Sequence, residues 1–124
     1  LQVMISIQSL ILVEQPYFNE PGWEKDINTF NGIKKSNEYN YRLYPHTIKL
    51  CMIDMIKNPP FGFEDIIKNH FKLKKDYILT MCDKWTKDVS KPYKDRYNDI
   101  ILEIQMQLER VPLQLLPPLT PLIA

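Results

Sequence analysis

Apolar residues crowd the first thirteen positions of the chain. Leu1, Val3, Met4, Ile5, Ile7, Leu10, Ile11, Leu12 and Val13 leave polar groups only at Gln2, Ser6, Gln8 and Ser9. A helix that is apolar on nearly all sides is a buried helix, so the pattern predicts a central core element of a soluble domain. The run is shorter than the roughly 20 residues that a membrane span takes. No basic residue precedes it, as one would in a secretory signal. Full burial of one aliphatic side chain is worth about 1.5–3 kcal/mol, so about six to eight of them would contribute on the order of 10–20 kcal/mol, as much as a whole domain's stability. The helix is therefore expected to pack against a surface contributed by residues upstream of Leu1, in a longer protein.

From Glu14 to Lys35 the chain carries Pro16, Pro21, Gly22 and Gly32 among Asn and Asp residues. This reads as a long loop, pinned to a core by Tyr17, Phe18, Trp23 and Phe30. Ser36, Glu38 and Tyr39 predict a short helical turn that Pro45 interrupts or restarts. A helix from near Tyr44 to Lys57 follows, since Pro is tolerated in a first turn. Its Ile48, Leu50, Cys51, Met52, Ile53, Met55 and Ile56 face almost everywhere, so it too is expected to be mostly buried. Asn58, Pro59 and Pro60 end it, because the residue before a proline is pushed out of the helical region. Phe63, Ile66, Ile67, His70 and Phe71 then fall at i, i+3, i+4, i+7 and i+8, predicting an amphipathic helix of about ten residues.

After a break near Lys72, Ile78, Met81, Cys82, Trp85 and Val89 share one face of another helix. Ser90 as N-cap and Pro92 in the first turn open a last, longer helix, striped by Tyr93, Tyr97, Ile100, Ile104, Leu108 and Val111. No strand-like alternation of any length appears. The chain is thus expected to be all-α, with about five helices. Pro112 to Ala124 holds four of the ten prolines among Leu residues. It reads as an extended linker of polyproline character, or as a segment that docks in an apolar groove.

Composition narrows the function classes. A chain of 124 residues suggests one domain, and 44% hydrophobic with 25% charged residues excludes wholesale disorder. A net charge of +1 gives no footprint for nucleic acid. Lys72, Lys74 and Lys75 sit at a helix boundary, where a solvated helix end explains them. Cys51 and Cys82 are far apart, with no CxxC and no His at ligand spacing, and indicate neither a disulfide framework nor a zinc site. Buried thiols in the cytoplasm or nucleus are the expectation. His46 follows a proline, and His70 on an apolar face reads as a packed core or boundary residue. No residue reads as catalytic, and no cofactor or metal is implied.

The SIQSLIL run of Ser6 to Leu12 and the PYFNEPG string of Pro16 to Gly22 carry a more specific signal. Ser36, Glu38, Tyr39 and Asn40 follow in order, then Arg42, Asn58 with Pro59, Phe63, His70 with Phe71, and Cys82 with Trp85. Over residues 1–88 the chain resembles the crossover helix and following segments of ubiquitin-conjugating enzymes, in particular the branch of very large conjugating/ligase hybrids. The resemblance implies the C-terminal helical part of an α/β ubiquitin-conjugating fold whose sheet is not in the chain. It divides the chain into a helical half-domain (1–71), a helical extension (72–111) and the Pro/Leu-rich tail (112–124). The family's nucleophilic cysteine and His-Pro-Asn motif precede the crossover helix, so both would lie upstream.

What the chain would supply is binding surface. By the match at Ser6 to Ile11, the family's donor-ubiquitin contact corresponds to Gln2, Ile5 and Ser9. These sit at i, i+3 and i+7, on one helical stripe, although Ile5 could equally be core. The loop near the active cysteine would carry Asn19 and Glu20, to orient the incoming lysine or simply to form the turn. The implied partners are ubiquitin, a ubiquitin-activating enzyme, substrate proteins, and either a second copy or the missing N-terminal half. The rival reading is a non-catalytic helical module that binds ubiquitin or acts as a scaffold.

Overall fold

The structure, a computed structural model, describes residues 1–112. The tail assigned to Pro112–Ala124 lies, Pro112 apart, outside the described residues. Among those described there is no strand, and the all-helical expectation holds. The backbone forms two compact units, Leu1–Pro45 and a second that starts at His46.

The first unit contains α1 (Gln2–Leu10), two short 3-10 turns at Pro16–Asn19 and Glu24–Asp26, and all but the last residue of α2 (Phe30–His46). No residue of α1 is buried, and the nine apolar residues from Leu1 to Val13, in the helix and at its ends, run from 38% to 93% exposed. Among the described residues nothing covers α1, and the surface it is expected to pack against lies outside this chain. An apolar face records what a helix can bury, not that a surface lies against it.

The departure is α2, which spans 17 residues where a loop and one short turn are expected. Its start is capped by Thr29, whose Oγ1 accepts a hydrogen bond from the Gly32 N–H at 2.9 Å and donates to the Asp26 carbonyl at 2.8 Å. Its buried face is Gly32, Ser36 and Asn40, at i, i+4 and i+8, with Pro45 near its end. A helix that buries small and polar residues carries no hydrophobic period to detect. Gly32 is required there, because a Cβ would come 2.1 Å from the Asp26 carbonyl oxygen. Inside the helix, Pro45 has no N–H to donate to the fourth residue before it.

The second unit opens with a π-helical segment, Thr47–Ile53, and continues through α3 (Asp54–Lys57), α4 (Glu64–Leu73), α5 (Lys75–Asp88) and α6 (Lys91–Arg110). Ile48 and Ile53 are fully buried. Five residues apart, they would lie about 140° from each other on an α-helix, whereas i→i+5 winding brings them onto one face. They join Phe71, Ile78, Cys82, Ile104 and Leu108 in one core, against which Met52, Ile56, Trp85 and Ile100 pack. The stripes read from the sequence for α5 and α6 are the ones buried, and α6 packs on both the π segment and α5.

Leu50, Cys51 and Met55 are exposed, so the segment is buried on one side only. On α4 the core takes Phe71 and part of Ile67, while Phe63, Ile66 and His70 face solvent. His70 is thus not a packed core residue; its ring meets Phe71 edge-on at 5.4 Å. Lys57 pairs with Glu103 and Lys75 with Glu109, so one of the three lysines read as a solvated helix end is tied to α6.

Candidate functional site

The exposed helix α1 and the loop that follows it form the candidate site, all within the first unit. Gln2, Ile5 and Ser9 lie along one side of α1, as their spacing requires. The whole helix is exposed, so exposure does not single them out from their neighbours. Ser6 Oγ donates to the Gln2 carbonyl at 3.0 Å, and Ser9 Oγ to the Ser6 carbonyl at 3.3 Å. The serine hydroxyls are therefore engaged with their own helix, and Ile5 is the apolar member of the stripe.

The loop is held by aromatic rings and side-chain amides. Phe18 is buried, and the Tyr17 ring sits edge-on to it at 5.3 Å, 5.1 Å from Trp23 and 5.9 Å from Tyr39 of α2. Burial first, and then the carboxylates of Asp26 and Glu20, hold the Tyr17 phenol above its ordinary pKa. The Lys35 ammonium lies 5.2 Å from the centre of the Trp23 ring, within cation–π range. The Asn19 side-chain amide donates to the Leu10 carbonyl, satisfying one of the acceptors that the end of α1 leaves open. The Asn40 amide donates to the Glu14 carbonyl at 2.8 Å. Gly22, at φ 95°, turns the chain so that its N–H reaches Glu24 Oε2 at 2.6 Å.

The two residues singled out in this loop therefore differ. Asn19 is used to anchor the loop to α1, and Glu20 presents an exposed carboxylate just beyond that anchor. Residue patterns alone give Tyr39 only a place in a helical turn and Asn40 no role. Both lie in the SxEYN stretch that carries the resemblance, and in the structure they contact Tyr17 and Glu14 beside the PYFNEPG string.

The two thiols differ in environment, and the buried one is unsuited to nucleophilic chemistry. Burial pushes Cys82 up to about 11, which keeps it protonated at neutral pH. Cys51 is exposed, where the sequence reading expects a buried thiol. Among the described residues no group of three His, Cys, Asp or Glu could hold a metal, and no helix is long and apolar enough to cross a membrane. A cavity of about 190 Å³ in the second unit is lined by Ile56, Lys68, Gln107, Arg110, Val111 and Pro112.

No family model matches the chain. Individual proteins do. It is 46% identical over 104 residues, 84% of the chain, to a probable ubiquitin-conjugating enzyme E2 of Acanthamoeba polyphaga mimivirus, of which it covers 7%. It is 42% identical over 96 residues, 77% of the chain, to the dual E2 ubiquitin-conjugating enzyme/E3 ubiquitin-protein ligase BIRC6 of Homo sapiens, of which it covers 2%. A probable ubiquitin-conjugating enzyme E2 of Arabidopsis thaliana is 41% identical over 87 residues, which are 70% of the chain and 8% of that protein. The chain thus spans less than a tenth of the length of these relatives.

Proposed function

Because the chain belongs with the ubiquitin-conjugating enzymes, we propose that it is the helical C-terminal part of a conjugating domain whose parent protein transfers ubiquitin from a cysteine thioester to a lysine. The observation that carries this reading is the 46% identity to a conjugating enzyme across 84% of the chain. In the proposed reaction the lysine amine attacks the thioester carbonyl, a C–N bond forms, the C–S bond breaks, and the thiolate leaves as the amine loses its proton. The cysteine lies upstream of Leu1, in keeping with the protonated, buried state of Cys82. Residues 1–71 complete the conjugating domain and residues 72–111 extend it.

Two features of the first unit fit this assignment. The stripe of Gln2, Ile5 and Ser9 offers an apolar side chain flanked by polar ones, a surface suited to the apolar patch of a thioester-linked ubiquitin. The Glu20 carboxylate, on a loop fixed by Asn19, orients the incoming ammonium and draws it from solvent. The parent's partners are ubiquitin, an activating enzyme and substrate proteins.

The test is thioester formation. With activating enzyme, ATP and ubiquitin, the full-length protein is expected to form an adduct that thiol reductants cleave. Absence of that adduct overturns the conjugating reading; ubiquitin binding that persists and is lost on Ile5→Ala would then favour a non-catalytic ubiquitin-binding module. In an active parent, Ile5→Ala should leave loading intact and slow discharge to lysine by about tenfold, as expected for lost positioning.

A further inference from the structure

The loop from Glu14 to Glu20 is tied to α2 at two successive residues. Tyr39 meets the Tyr17 ring, and Asn40 reaches across 26 positions to the Glu14 carbonyl. Asn40 is 7% exposed, at the end of a buried stripe in which Gly32 lies against the Asp26 backbone and Ser36 is fully buried. The helix thus fixes where the Asn40 amide points. At the loop's other end Asn19 is bonded to Leu10. The 3-10 turn Pro16–Asn19 is clamped between these two amides, and Glu20 is the first residue past the second.

We propose that Asn40 is a positioning residue for lysine transfer, acting through the Glu14 carbonyl to fix the turn that carries Glu20. This rests on the conjugating reading above. Asn40 touches neither ubiquitin nor lysine. Its hydrogen bond removes the freedom of the turn before substrate arrives, so the Glu20 carboxylate meets the ammonium without first being ordered. A displacement of about 1 Å in such a group can cost up to about a hundredfold in rate.

The experiment uses the full-length protein and separates loading from discharge. Asn40→Ala is expected to load ubiquitin at the wild-type rate and to hydrolyse its thioester in water at the wild-type rate. Its kcat for discharge to free lysine should fall about tenfold. Glu20→Gln, which slows discharge in the wild type, should add little in the Asn40→Ala background, since residues that act as a unit are non-additive. Val89→Ala, a truncation in the second unit's packing, serves as a stability control and should leave the ratio of discharge to hydrolysis unchanged. Unchanged discharge in Asn40→Ala, a parallel fall in loading and hydrolysis, or a full Glu20→Gln effect in both backgrounds would each overturn the positioning role while leaving the conjugating reading in place. Failure of the wild type to form a thioester overturns both.

Discussion

At the scale of single residues, the two thiols separate by environment. Cys82 is 1% exposed and raised to about 11, whereas Cys51 faces solvent on the π segment. A thiol-specific reagent at pH 8 should therefore label Cys51 within minutes and Cys82 only on unfolding, with mass spectrometry giving the order. The same shift sets an alkaline limit. The raised pKa means that Cys82 contributes stability fully present below the ordinary thiol value of 9.0 and lost as pH rises toward 11. Melting temperature should fall through that window, and Cys82→Ser should flatten the fall. Burial of Cys82 was legible in the sequence because its neighbours Ile78 and Trp85 keep helical spacing. Exposure of Cys51 was not, because an apolar residue in an apolar run has no mark of its side.

At the scale of elements, a helix was readable where it buries an aliphatic stripe. Ile100, Ile104 and Leu108 declare α6, whereas Gly32, Ser36 and Asn40 conceal α2. What marks α2 instead is its cap and one close approach. Thr29→Ala removes the acceptor for the Gly32 N–H and should cost about 0.5–2 kcal/mol. Gly32→Ala forces a Cβ against the Asp26 carbonyl and should cost about 1–3 kcal/mol, the range for overpacking. Urea unfolding monitored by circular dichroism checks both. The candidate site divides in the same way. Gln2, Ile5 and Ser9 could be placed from helical spacing, but the tethers Asn19 to Leu10 and Asn40 to Glu14 join distant positions that no local pattern connects.

At the scale of the molecule, two consequences concern association and acid. Among the described residues nothing covers α1, and its run of exposed apolar side chains is the kind of surface that drives association. Residues 1–124 in isolation should sediment as more than a monomer, and Ile7→Lys should shift the distribution toward monomer. On the acid side, the hydrogen bond and charge of Lys75 hold the Glu109 carboxyl below its usual range. A depressed pKa contributes stability above the unfolded value near 4.3 and loses it as pH falls through the folded value. Glu109 is exposed and Lys75 only partly buried, so solvent screens the pair and the effect is small.

The π-helical segment has a further consequence, for how the length of this chain can vary. A π turn is an α turn carrying one surplus residue. Removing Leu50, which is exposed, would leave Ile48 and Ile53 four apart, a spacing that an ordinary α-helix already places on one side. The core would keep its register through that loss. One residue deleted within α6 would instead turn everything after it by about 100° and carry Ile104 or Leu108 out of the interior. Thr47–Ile53 is thus the place in the second unit where a related sequence can be one residue shorter and still fill the same core.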